Sequence, residues 1–233
     1  MSIEWLSEEP DSKFPPIETA DENGLLAAGG DLSSARLLNA YRHGVFPWFN
    51  KHDPILWWSP DPRMALFTDS VKISKSLKKT LNKNTFKVTL DHAFEQVMTA
   101  CSLPRKDEEG TWIHQNMIDA YVSLHQQGYA HSVECWLDDK LVGGLYGVAI
   151  GHMFFGESMF SHARDSSKIA LVSLCQQLNE WGFELIDCQV YSSHLESLGA
   201  EEIPRDYFLH KMTELCQVGS KSYDWKRVLS DHG

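Results

Sequence analysis

The chain has 233 residues, of which 42% are hydrophobic and 23% are charged, a composition typical of a folded protein with one or two domains. No apolar run approaches the ~20 residues that span a bilayer, and the N-terminus lacks the basic and apolar regions of a secretory signal. Five widely spaced cysteines without a CxxC pair, and histidines without metal-binding spacing, argue against disulfides and metals and favour the cytoplasm. The net charge of −11 excludes a protein that coats nucleic acid through its overall charge.

Residues 1–62 are predicted to form a small N-terminal domain, and residues 63–233 a larger one. The first part is rich in proline and glycine and has few long periodic segments. Asp31 is placed to cap a short helix that ends before Gly44. A proline-rich connector then leads to the alternating pattern of the second part.

A basic segment contrasts with the acidic character of the whole chain. Between Ser70 and Leu90 there are six lysines and no Asp or Glu. At about 100° per residue, this segment predicts an amphipathic helix with a lysine face and an apolar face. The lysine face contains Lys72, Lys75, Lys79 and Lys83, and the apolar face contains Ile73, Leu77 and Leu81. Most lysine-rich faces are simply exposed to solvent. Because this segment has no acidic residues, a binding site for a polyanion is an equally good interpretation.

The second part alternates strands and helices. The predicted elements are, in chain order, a strand at 86–90, a helix from Asp91 to Cys101, a charged loop at 105–110, a helix at 115–127, strands at 131–137, 141–150 and 153–157, a helix at 166–181 and a strand at 184–190 that closes the core. The turns between the middle strands are too short for crossovers, so the pattern predicts an α+β fold with an antiparallel meander. The acetyltransferase-like (GNAT) fold has the same order of elements.

Three polar side chains are candidates for chemistry. Asp187 and Gln189 lie two residues apart on a predicted strand, so their side chains are expected on the same face. In an apolar strand such a pair either satisfies a structural hydrogen bond or holds and deprotonates an incoming amine. Glu157 ends another predicted strand, where it is either a solvated charge or a site residue.

The loop before the helix at 166–181 bears on the question of a cofactor. A GNAT enzyme binds the pyrophosphate of acetyl-CoA through backbone N–H groups of a glycine-rich loop at this place. Here the loop, Phe160–Ser167, contains no glycine, and Asp165 would repel a phosphate. We therefore expect no cofactor, so that an acyl group must arrive on another carrier.

Nine short segments carry the most specific motifs of the chain. They are Asn23–Leu32, Gly44–Phe49, Trp57–Arg63, Glu109–Ile113, Gly143–Gly147, Gly156–Phe160, Ile186–Gln189, His194–Gly199 and Ile203–Arg205. Together they resemble the bacterial leucyl/phenylalanyl-tRNA–protein transferase family over most of the chain.

The resemblance implies an aminoacyltransferase. Members of this family move Leu, Phe or sometimes Met from aminoacyl-tRNA to the N-terminal Arg or Lys of an acceptor protein. The new N-terminal residue marks the acceptor for degradation by the N-end rule pathway. The family combines a small N-terminal domain with a GNAT-like domain that lacks the CoA site. We expect the same fold here, in a monomer without membrane contact.

The resemblance also implies roles for individual residues. Asp187 would orient and polarise Gln189, whose carbonyl oxygen would accept a hydrogen bond from the attacking amine, and Glu157 would hydrogen-bond within the site. The pocket for the transferred side chain would be lined by Leu145, Phe154, Leu171, Leu174 and Ile186. The terminal adenosine of the tRNA and the acceptor peptide would lie near Trp48, Trp112, Tyr41 and Tyr121. The tRNA phosphates would bind Lys75, Lys79 and Lys83, where relatives often have arginine.

Two other functions would use some of the same features. A non-enzymatic RNA-binding module would use the lysines and tryptophans and leave Asp187 and Gln189 structural. A CoA-dependent N-acetyltransferase would use the same order of elements but would need the phosphate-binding loop. Incubation of an Arg-initiated peptide with labelled acetyl-CoA or with Phe-tRNA separates the three.

Overall fold

The computed structural model describes residues 3–9, 12–103, 112–219 and 223–229. The α-helices of these residues are α1 (Ser34–Arg42), α2 (Lys75–Asn82), α3 (Phe94–Cys101), α4 (Gln115–Gln126), α5 (Ser166–Trp181), α6 (Ser193–Glu196) and α7 (Arg205–Cys216). The strands are β1 (Glu4–Leu6), β2 (Leu25–Gly29), β3 (Phe46–Pro47), β4 (Leu56–Trp58), β5 (Arg63–Phe67), β6 (Lys87–Leu90), β7 (Ala130–Leu137), β8 (Lys140–Ile150), β9 (Met153–Ser161), β10 (Leu185–Gln189), β11 (Glu201–Ile203) and β12 (Val228–Leu229).

These strands form two sheets. The small sheet has four strands in the order β1-β2-β4-β3, and the large sheet has eight in the order β11-β5-β10-β9-β8-β7-β6-β12. In the large sheet β9 and β10 run parallel, and the other neighbouring strands run antiparallel. The protein is therefore a mixed α/β structure with a small N-terminal domain and one large curled sheet.

Both faces of the large sheet are buried. One face carries a hydrophobic core that includes side chains of α1, α3, α4 and α7 and of the small sheet. The opposite face carries a second core, formed with α2 and α5. Because the first core includes side chains from both sheets, the small sheet packs on the large one. The domain boundary after residue 62 stays a prediction.

The helices predicted from periodic apolar residues are present. α5 spans the predicted residues, and α4 ends just before Gly128, which has a φ of 79°. α3 begins only at Phe94, since Asp91 has a φ of 54°, a value that a helix does not contain. The charged loop predicted at 105–110 lies outside the described residues.

Two other helices, α1 and α2, also begin later than the sequence predicted. The cap of α1 is Ser33, whose hydroxyl accepts a backbone N–H of the first turn, while Asp31 accepts the backbone N–H of Ser33. α2 follows directly after its cap Ser74. Lys72 and Ile73 therefore precede the helix, because capping by the Ser74 hydroxyl fixes where the helix begins.

β10 lies inside the large sheet, so the prediction that this strand closes the core is wrong. β5 pairs with β10, and β11 pairs with β5, which extends the sheet by two strands. The sequence analysis missed β5 because it directly follows the proline-rich connector, and β11 because it has only three residues. At the other edge, β12 pairs with β6.

A gap between two neighbouring strands positions the candidate site. β9 and β10 pair only as far as Phe155 and Asp187. Beyond this point β9 continues along β8 to Ser161, whereas β10 ends at Gln189. The strands therefore part, and a cavity opens between them.

Candidate active site

Two β-bulges stand at this gap. The register of β9 against β8 shifts after Gly156, which leaves Glu157 as the extra residue. The register of β10 against β5 shifts in the same way at Cys188. Gln189 has a φ of 66°, which is uncommon for glutamine. These departures from regular strands bring the two side chains together, and Gln189 Nε2 donates to Glu157 Oε1 at 2.8 Å.

Asp187 is fully buried and holds Gln189 through the backbone. Its carboxylate accepts from Nε and Nη2 of Arg63 at 2.8 and 2.7 Å and from the backbone N–H of Gln189 at 2.9 Å. The Arg63 guanidinium lies between the rings of Phe46 and Phe208, at 4.7 and 4.8 Å from their centroids. Asp187 therefore fixes the backbone of the bulge, while Glu157 holds the side-chain amide.

Glu157 joins three elements of the fold. Besides Gln189 on β10, it accepts hydrogen bonds from the hydroxyls of Tyr41 on α1 at 2.7 Å and Tyr121 on α4 at 2.8 Å. The pKa of Glu157 is raised to about 7, chiefly by burial and to a lesser extent by the charge of Asp187, and the hydrogen bonds oppose the rise. A carboxyl group with such a pKa gains and loses a proton readily near neutral pH.

The cavity between β9 and β10 has a volume of about 760 Å³. Its walls include all five residues predicted for the side-chain pocket, and these belong to the core between the sheet and α5. They are Leu145, Phe154, Leu171, Leu174 and Ile186. Glu157 and Gln189 line the same space. The fold thus brings the apolar and the polar candidates into one cavity.

The four predicted aromatic contacts divide into two pairs. Trp48 and Trp112 line the cavity, and Trp48 is 43% exposed. Tyr41 and Tyr121 are only 1% and 0% exposed. Their rings are part of the core and cannot stack on an adenosine or touch a peptide. The expectation is corrected for these two residues: only their hydroxyls reach the site, where they hold Glu157.

The predicted basic residues lie on the same side of the sheet as the apolar pocket. These residues are Lys75, Lys79 and Lys83, and their side chains are exposed to solvent. α2 joins the beginning of α5 through a hydrogen bond of 3.2 Å from Thr80 Oγ1 to Asp165 Oδ2. Because α5 lines the cavity, a polyanion on the lysine face would approach the pocket from this side.

Sequence reasoning missed two other groups. Arg63 belongs to the Trp57–Arg63 motif, but 124 positions separate it from Asp187, so no local pattern shows which carboxylate it pairs with. Lys168, in the first turn of α5, lies near His194, which lines the cavity. Burial and the charge of Lys168 lower the pKa of His194.

The described residues contain neither a metal-binding cluster nor a membrane-spanning helix. No group of three or more His, Cys, Asp or Glu side chains in this part of the chain is arranged to hold a metal ion. Within the same residues, no helix is both long and apolar enough to cross a membrane.

Comparison with known proteins gives close relatives. The model of the leucyl/phenylalanyl-tRNA protein transferase family matches residues 65–213, and the model of that family's N-terminal domain matches residues 30–61. The leucyl/phenylalanyl-tRNA–protein transferase of Nitrosomonas europaea is 58% identical over 92% of each chain. That of Nitrosospira multiformis is 56% identical over 96% of each chain.

Solved structures give a more distant likeness. The C-terminal domain of a putative lysylphosphatidylglycerol synthetase from Agrobacterium fabrum aligns with 82% of this chain and 61% of its own, with a TM-score of 0.42 and 13% identity. A likeness at this level carries no argument about function.

The fold, the cavity and the close relatives together define an aminoacyltransferase. The chain belongs to the leucyl/phenylalanyl-tRNA–protein transferase family, whose members transfer Leu or Phe from aminoacyl-tRNA to the N-terminus of a protein.

Proposed function

We propose that this chain acts in the cytoplasm as a monomer and transfers Leu, Phe or Met to acceptor proteins whose N-terminal residue is Arg or Lys. The product then carries a destabilising N-terminus, which directs it to N-end rule degradation. The cavity between β9 and β10 carries this proposal, because an apolar pocket and a hydrogen-bonding pair meet in one space. A transferase for an apolar aminoacyl group and an amine needs both.

The apolar pocket would select the transferred residue by shape. Leu, Phe and Met are unbranched at Cβ, whereas Ile and Val are branched there. The pocket is formed by closely packed side chains of β8, β9, β10 and α5. A narrow pocket excludes a second substituent on Cβ by steric clash. Such a clash discriminates between substrates more strongly than the loss of one methylene contact does.

Gln189 would position the attacking amine. Its Nε2 donates to Glu157, which fixes the orientation of the amide and leaves the carbonyl oxygen to accept a hydrogen bond from the amine. Asp187 acts as a positioning residue, since its carboxylate is buried against Arg63 and the Gln189 backbone. The aminoacyl ester is already activated, so correct placement of the amine contributes much of the rate. Glu157 also favours the cationic N-terminus of an acceptor.

The aminoacyl-tRNA would bind along α2 and at the mouth of the cavity. The lysines of α2 attract phosphates as point charges, without the bidentate contact that arginine makes. Trp48 and Trp112 line the cavity and offer surfaces on which the terminal adenosine stacks, for about 1–3 kcal/mol per base.

The domain after residue 62 would be a GNAT-like domain that has no CoA site. The parallel strands β9 and β10, which separate in the middle of the mixed sheet, support the likeness to a GNAT domain. Asp165 occupies the N-cap position of α5 without a side-chain cap hydrogen bond, and its carboxylate accepts from Thr80 Oγ1. Its negative charge would repel a phosphate at the start of this helix.

A transfer assay tests the proposal. The chain is incubated with Leu-, Phe-, Met- or Ile-charged tRNA and with peptides that begin with Arg, Lys or Ala. We expect products from the first three donors and the two basic acceptors, and none from acetyl-CoA. Transfer from acetyl-CoA would indicate an N-acetyltransferase, and tRNA binding without product would indicate an RNA-binding module. Sedimentation of the active sample tests the monomer.

A further inference from the structure

Three oxygen-bearing groups at the site form a closed triangle of contacts. Tyr41 Oη lies 2.7 Å from Glu157 Oε1, and Tyr121 Oη lies 2.8 Å from Glu157 Oε2. The two tyrosine hydroxyls lie 2.5 Å from each other. Gln189 Nε2 donates to the same Oε1 atom. Each of the three edges of the triangle needs one proton to be a hydrogen bond.

The number of protons depends on the state of Glu157. With an ionised carboxylate, the two hydroxyls supply two protons for three edges, so one edge brings two lone pairs together. With a neutral carboxyl, all three edges are satisfied in one direction. Oε2–H donates to Tyr121, Tyr121 donates to Tyr41, and Tyr41 donates to Oε1, which still accepts from Gln189.

We propose that the triangle of Glu157, Tyr41 and Tyr121 takes up the proton that the acceptor amine must lose before it attacks. This inference rests on the proposed function. An acceptor N-terminus arrives as an ammonium ion with three protons. One proton passes to the Glu157 carboxylate and closes the triangle. The neutral amine then forms a C–N bond to the aminoacyl carbon as the ester C–O bond breaks.

The remaining protons balance the reaction. One stays on nitrogen in the new amide, and one goes to the leaving ribose oxygen. Glu157 returns its proton to solvent after the products leave. No oxidant, reductant or further reactant is needed. Tyr41 and Tyr121 act as positioning residues here, since they hold the proton acceptor and do not touch the substrate.

The groups around Glu157 are consistent with this role. Tyr146 on β8 and Asp187 on β10 also face it, and Arg63 on β5 neutralises Asp187. Burial keeps the pKa values of all three tyrosines well above their usual range, so each hydroxyl stays protonated. The pKa of Glu157 is about 7, so both of its forms are populated at neutral pH.

The substitution Glu157→Gln tests the proposal. The glutamine amide reproduces the neutral carboxyl, because its N–H donates to Tyr121 and its carbonyl accepts from Tyr41 and Gln189. The triangle stays closed, but it cannot accept a proton. The variant can therefore use only acceptor molecules whose amine is already neutral. With an α-amino pKa of ~7.7–8.0, only about a tenth of the amine is neutral at pH 7.

About half of the parent has an ionised Glu157 at pH 7, so we expect single-turnover transfer to an Arg-initiated peptide to fall about fivefold at pH 7 in Glu157→Gln and to approach that of the parent at pH 9. The control is Glu95→Gln, an exposed residue of α3 with the same change of charge. It should leave the profile unchanged. A Glu157→Gln defect below twofold at pH 7, or one of equal size at pH 7 and pH 9, would overturn the proposal.

A second measurement does not depend on transfer. Infrared titration of the protein alone should show the carbonyl stretch of a neutral carboxyl below pH 7 in the difference between the parent and Glu157→Gln, in which the buried Glu134, whose pKa is also raised, cancels. Absence of this difference signal would overturn the proton-accepting triangle and leave the proposed function intact. Transfer by the parent, together with the carboxyl signal and a pH-dependent defect in Glu157→Gln, supports both the proposed function and this inference. A parent without any transfer would overturn the proposed function and this inference with it.

Discussion

The substitution Asp187→Asn should destabilise the fold as well as slow the reaction. Arg63 and Asp187 form a bidentate ion pair in which the two residues are 1% and 0% exposed. Asparagine keeps one acceptor oxygen but loses the charge and places an N–H group against the guanidinium. The buried charge of Arg63, held between Phe46 and Phe208, then has no counter-charge.

Removal of one partner from a buried ion pair costs about 3–5 kcal/mol. Because one hydrogen bond can persist, we expect a loss near the lower end, about 3 kcal/mol of unfolding free energy. For a chain of this size each kcal/mol shifts Tm by about 2–4 °C, so Tm should fall by about 6–12 °C. Urea unfolding and calorimetry measure the two quantities, and transfer is measured below the new Tm.

The matched control is Asp139→Asn, an exposed turn residue with a φ of 57° that asparagine also adopts. The double variant Arg63→Met with Asp187→Asn removes both charges and should lose less stability than the two single changes added together. If the unfolding free energy of Asp187→Asn is within about 1 kcal/mol of the parent's while transfer is abolished, then the carboxylate acts in the chemistry, and fixing the backbone of the bulge is not its role.

Three further outcomes are expected. The pKa of Glu157 is raised to about 7 from 4.5, so the folded chain binds this proton more tightly than the unfolded chain. The contribution of Glu157 to stability is therefore lost as the pH rises from about 4.5 to 7, and the unfolding free energy of the parent should fall over this range relative to that of Glu157→Gln. Replacing Lys75, Lys79 and Lys83 with glutamine should raise KM for aminoacyl-tRNA and flatten its salt dependence; an equal loss with a minimal aminoacyl-adenosine donor would contradict the assignment of these lysines. Leu174→Phe should narrow the pocket and reduce Phe transfer more than Leu transfer; equal use of Ile-tRNA and Leu-tRNA by the parent would show that the pocket does not select by shape.

The local elements and the chemical type of each candidate residue follow from the amino-acid sequence alone. Apolar periodicity predicts α4 and α5, because helix spacing and burial are local properties. The family resemblance also predicts the apolar residues of the pocket and the lysines of the basic segment, because it extends over most of the chain and matches them residue by residue. The local pattern does not fix where a helix begins, because neighbouring residues such as Asp31 and Ser33 compete for one cap.

The contacts between these residues depend on how distant parts of the chain pack together. Arg63 reaches Asp187 across 124 positions, and Tyr41 reaches Glu157 across 116. The bulges at Glu157 and Cys188 break the two-residue alternation on which strand reasoning depends. Burial of the Tyr41 and Tyr121 rings excludes the contacts with adenosine and peptide that the resemblance implied for them. Pairing across the sheet and burial by distant elements are non-local, and a pattern of neighbouring residues contains no information about either.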